Sequence, residues 1–78
     1  MGEPTVSNQS AAILESERLR QDLTYQQVAD GSGVHVSRVH RILRGETHRP
    51  SFENVEAILF GLGRDWKWYH KQMKGEET

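Results

Sequence analysis

Between Val34 and Arg49 the chain sets four arginines, Arg38, Arg41, Arg44 and Arg49, among three histidines, His35, His40 and His48. Glu46 is the one carboxylate there, so four positive charges against one negative leave the segment at +3, while the whole chain carries −1. A basic segment on an otherwise acidic body points to a polyanion held at one place on the surface. Guanidinium groups hold phosphates, and each also matches the O6 and N7 edge of guanine.

Other chemistries compete for this stretch. Gly31-Ser32-Gly33 looks like a glycine loop that cradles a phosphate. Such a loop follows a buried strand and opens the helix of a βαβ unit. No strand pattern precedes Gly31, and no Lys-Ser or Lys-Thr follows it. The histidines suggest a metal, but His35 and His40 are five apart, which does not align on a helix face as four does, and no cysteine or carboxylate completes a set. A Ser-His-Asp triad lacks an oxyanion turn here, and 78 residues hardly leave room for a deep catalytic cavity. Neither enzyme activity, metal, cofactor nor small-molecule substrate is expected.

The elements that must position these residues are helices. Residues 1–9 (MGEPTVSNQ) read as a tail, 10–73 as one small domain, and 74–78 as a frayed end. Leu, Ile, Val and Phe make up about a fifth of the chain, enough for a lean core. No cysteine is present, and no run approaches the roughly 20 apolar residues of a membrane span. A first helix is expected from Ser10 to Gln21. Thr24 and Gln27 form a capping box that starts a second, carrying Val28 and Ala29 inward and broken by Gly31 and Gly33. A third covers Val36 to Arg44, with Val36, Val39, Ile42 and Leu43 at helical spacing and Gly45 as its left-handed end. Ser51 caps a fourth, whose stripe is Phe52, Val55, Ile58, Leu59 and Leu62, closed by Gly61 and Gly63. Asp65 caps a short fifth, with Trp66, Tyr69, His70 and Met73 inward.

The second and third helices meet at a glycine turn, which is the helix-turn-helix arrangement. With Tyr25 as position one, the motif requires a small fifth residue, Ala29, and a left-handed ninth, Gly33. It requires buried apolar residues at the fourth, tenth, fifteenth and eighteenth positions: Val28, Val34, Val39 and Ile42. All six are met. The eighth position, usually apolar, is Ser32.

Residues 10–72 resemble the Cro/CI-type (XRE-like) helix-turn-helix family of phage repressors and bacterial regulators. The resemblance is carried by Leu23, Thr24, Ala29, Gly33, Arg44, Gly45, Pro50, Ser51, Leu62 and Gly63, with Arg18 in the first helix. Three positions depart from the pattern. Leu43 stands where the family often has a glutamate that pairs with the first-helix arginine. His35 replaces a common Ser or Thr cap, and Tyr25 a common glutamine.

The resemblance implies an all-α, compact five-helix, lambda-repressor-like DNA-binding domain, with helices 2 and 3 as the helix-turn-helix. It implies that the third helix enters the major groove of double-stranded DNA. Val36, Ser37, His40 and Arg41 would then meet base edges, and Tyr25, Gln26, Arg38, Arg44, His48 and Arg49 the phosphates. A transcriptional regulator, Cro-like or immunity-repressor-like, is expected in the cytoplasm of a bacterial or phage-infected cell. A domain this small covers few base pairs, so a homodimer on a near-palindromic site is expected, with Phe60 and Trp68 at its interface. The alternative is an antitoxin or anti-repressor module that uses the same fold to hold a protein partner. Plainer readings stand beside these: Val36 in the core, Arg38 paired with Asp30, Phe60 folded onto the first helix.

Overall fold

Side-chain caps mark where most helices begin. In the computed structural model, which describes residues 9–75, these are α1 (Gln9–Arg20), α2 (Tyr25–Ser32), α3 (Val36–Leu43), α4 (Phe52–Gly61) and α5 (Trp66–Met73). Thr24, Ser51 and Asp65 each accept a backbone N–H of the following turn, and the Thr24–Gln27 capping box is closed from both sides. Gln9, expected in the N-terminal tail, opens α1. The rest of that tail and residues 76–78 lie outside the described residues.

The helix-turn-helix follows from local rules. Gly33 takes φ +75°, and its N–H donates to the Ala29 carbonyl at 2.9 Å. Only glycine adopts that left-handed conformation without a Cβ penalty. The turn brings Val28, Ala29, Val34, Val39 and Ile42 into one core with Leu14, Val55, Ile58, Leu59 and Leu62.

Gly31 corrects an expectation. It does not break α2 but lies inside it, and its missing side chain serves packing. A Cβ on Gly31 would stand 3.3 Å from the Gly61 carbonyl oxygen. One on Gly61 would stand 3.0 Å from the Ser32 Cβ and 3.1 Å from both the Ser32 nitrogen and the Val28 oxygen. Two glycines and a serine thus let α2 and α4 approach at backbone distance, which explains why the usually apolar position holds Ser32. Gly61→Ala should gain about 1 kcal/mol of helix propensity. Overpacking costs up to about 3 kcal/mol, and the neighbours here are mostly backbone atoms that cannot swing aside. A net loss of about 1–2 kcal/mol is expected, read as a lower urea midpoint at unchanged slope.

Two inward faces also differ from expectation. Phe52 is 42% exposed; as the first residue of α4 it sits beyond Val55, where the core begins, and stacks on Trp66 at 4.5 Å. On α5 only Tyr69 is fully buried and Trp66 is half-buried, whereas His70 and Met73 are exposed. This eight-residue helix rests on α1, and its last turn runs past the core.

A carboxylate locks the end of α1 to the α4–α5 joint. Glu17 is buried and accepts from Arg20 (2.7 and 2.9 Å), Gln21 (2.7 Å) and Arg64 (2.8 Å). Gln21 also donates to the Leu62 carbonyl at 2.7 Å. These charge-assisted bonds, led by Arg20, outweigh the cost of burial and hold the Glu17 pKa down at about 2.

Candidate nucleic-acid interface

α3 is anchored by one side and open on the other. Val39, Ile42 and Leu43 are buried. Val36, Ser37, His40 and Arg41 together line a shallow depression of about 360 Å³ on the outer side. Val36 takes part in both of its readings: half-buried against the core, it still borders this depression.

Beside it lies a cleft of about 510 Å³ between α3, the α3–α4 loop and the start of α4. Arg38, Arg41 and Arg49 line it, with Thr47, Ser51, Asn54 and one carboxylate residue, Glu53. The arginines are exposed and have no hydrogen-bond or ion-pair partner among the described residues. Asp30, weighed as a partner for Arg38, instead accepts from Gln26 at 2.9 Å. Arg44 meets Glu46 at 3.4 Å with both side chains half exposed, a contact too solvated to hold it firmly. His48 is exposed. Thr47 and Asn54 escaped the sequence reading because Ser51 registered only as a helix cap; the Pro50-Ser51 pair was the signal that α4 starts beside Arg49.

Tyr25 is placed differently from the phosphate contacts. Its hydroxyl donates to Glu15 at 3.0 Å, and the Arg18 guanidinium lies 4.2 Å over its ring. Burial and the Glu15 carboxylate both raise its pKa. To reach a phosphate its hydroxyl must first leave Glu15. The ring also supports His40, edge-on at 4.8 Å.

Arg18 has found the partner that Leu43 does not supply. It bonds Glu15 in two parallel contacts of 2.8 and 2.7 Å and donates to the Leu23 carbonyl at 2.6 Å. The pairing with Arg18 lowers the Glu15 pKa and raises that of Arg18.

The α3 cap is the remaining departure. His35 Nδ1 accepts the Ser37 N–H at 3.1 Å and lies 2.9 Å from the Ser37 hydroxyl. Among the described residues no three His, Asp or Glu side chains converge as a metal site would require, and no helix is long and apolar enough to cross a membrane.

A family model described as a helix-turn-helix domain matches residues 11–65. The chain belongs to the helix-turn-helix domain family. This is a family of Cro/XRE-like DNA-binding domains, and its members are typically not enzymes. The matched span runs from α1 through Asp65, so it contains the depression and the arginine cleft. No curated protein and no solved structure matches the chain.

Proposed function

We propose that this helix-turn-helix protein is a sequence-specific transcriptional regulator of the Cro-like or immunity-repressor-like kind. It inserts α3 in the major groove and acts as a dimer on a near-palindromic operator, in the cytoplasm of a bacterial or phage-infected cell. The observation that carries this reading is the set of three arginines, Arg38, Arg41 and Arg49, exposed and without hydrogen-bond or ion-pair partners among the described residues, around the outer side of α3. Three exposed guanidinium groups against one carboxylate, Glu53, leave the cleft beside this helix net positive and suited to a polyanion. Arg41 borders both the depression and the cleft, so its reach covers a base edge. Arg38 and Arg49 are assigned to the phosphates, together with Gln26, Arg44 and His48, as is Tyr25 once released from Glu15.

Selection from random duplex DNA at two salt concentrations tests this. A near-palindrome should be enriched. If about four to six phosphates are neutralised, log K should fall against log[salt] with a slope of roughly −4 to −5. Salt-sensitive binding without any enriched sequence would refute sequence-specific regulation.

For the dimer, Phe60 is 62% exposed, whereas Trp68 is half-buried and has Arg64 5.2 Å over its ring. Phe60 therefore takes the larger share of the proposed interface. Phe60→Glu with Trp68→Glu should give a monomer by light scattering; a dimer would place the interface elsewhere. The exposed Phe60 equally suits the antitoxin-type reading, which a failed selection together with a stable monomer would favour.

A further inference from the structure

The cap of α3 decides which way a neighbouring hydroxyl faces. A backbone N–H can only donate, and that of Ser37 lies 3.1 Å from His35 Nδ1. Nδ1 must therefore carry the lone pair, with the ring proton on Nε2. The Ser37 oxygen lies 2.9 Å from the same nitrogen. A nitrogen without a proton cannot donate, so in this contact the Ser37 hydroxyl is the donor, sharing the single lone pair of Nδ1 with the Ser37 backbone N–H. Serine has one such proton. Once it is spent on His35, the oxygen offers only acceptor lone pairs outward. Ser37 is exposed and faces the depression it shares with Val36, His40 and Arg41.

A serine hydroxyl ordinarily rotates to suit donors and acceptors alike, and so discriminates little between bases. A hydroxyl held as an acceptor bonds an amino group, N6 of adenine or N4 of cytosine. It opposes the keto oxygen of guanine or thymine. We propose that His35 is a positioning residue that fixes Ser37 as an acceptor, so that α3 selects an amino base, adenine or cytosine, opposite Ser37. This rests on the proposed reading that α3 enters the major groove. It complements Arg41, whose donors suit guanine, so the two side chains read opposite polarities.

The test compares sequences selected from random duplex DNA by the wild-type protein and by three variants. The wild type should favour adenine or cytosine over guanine and thymine at one position, on the order of fivefold, the worth of one hydrogen bond. Ser37→Ala should erase the bias at that position alone. His35→Ala should flatten the same position, because the hydroxyl is freed to rotate. The guanine tied to Arg41 should persist in that variant and so report an intact fold. His35→Asn offers Ser37 an acceptor oxygen with no proton and should retain the bias. A keto base at the Ser37-dependent position overturns the inference and leaves DNA reading standing, as does an amino bias untouched in His35→Ala. If the wild type enriches no site at all, the proposed function fails and the inference falls with it.

Discussion

Arg41→Ala should weaken binding to the selected operator by about 1–3 kcal/mol and abolish the preference for guanine at one position. The size follows from what the side chain does in the free protein, which is nothing structural. Arg41 is exposed and has no partner among the described residues, so its removal leaves no buried group unsatisfied. The whole loss should fall on binding, with the unfolding midpoint unchanged. Two neighbours provide the contrast. Arg49→Ala should weaken all duplexes alike and reduce the salt slope by roughly one. Arg44→Ala should do the same with a smaller effect, because Glu46 already screens that charge in part. Anisotropy titrations on the operator and on a duplex with the guanine replaced separate these outcomes. An Arg41→Ala protein that still distinguishes the two duplexes would remove Arg41 from base reading.

Acid should destabilise the protein through Glu17. Its carboxyl titrates at about 2 in the folded chain against the ordinary 4.5. A depressed folded pKa contributes stability that is complete above about pH 4.5 and is lost as the pH falls toward 2. Each pKa unit corresponds to about 1.4 kcal/mol, an upper figure of about 3 kcal/mol. Arg20 keeps 61% of its side chain in water, and that screening lowers the expected contribution to about 2 kcal/mol. Glu17→Gln should lose that amount at pH 7 and flatten the fall in stability between pH 4.5 and 2. A residual slope should remain from Glu15, which Arg18 also depresses. Thermal unfolding of both proteins at pH 7 and pH 3 measures this. Parallel losses of melting temperature would mean that Glu17 is not the responsible group.

The grouping of the proposed base-facing residues was legible because they lie on one short helix. Val36, Ser37, His40 and Arg41 share a face by helical spacing alone, and the structure gathers all four around one depression. The status of each side chain was not legible. Tyr25 and Gln26 are engaged with Glu15 and Asp30, while Arg38, taken as a possible partner of Asp30, is free among the described residues. Glu15 stands three residues before Arg18 and is its partner. That spacing of three is local and stands in the sequence, but only the folded chain shows that the two side chains meet.

Caps, helix periods and the left-handed turn at Gly33 depend on a few neighbouring residues, so the amino-acid order alone settles five helices and the helix-turn-helix within them. The distant contacts needed the folded chain. Gly31 reads locally as a helix breaker and becomes a helical contact only because Gly61, thirty positions on, has no side chain either. Glu17 is bonded by Arg64, 47 positions on, a contact that helical spacing within α1 does not announce. Phe52 completes an apolar stripe on paper but lies beyond the core, on Trp66. In each case the deciding energy comes from atoms brought together by packing, and no periodicity along the chain encodes which atoms those are.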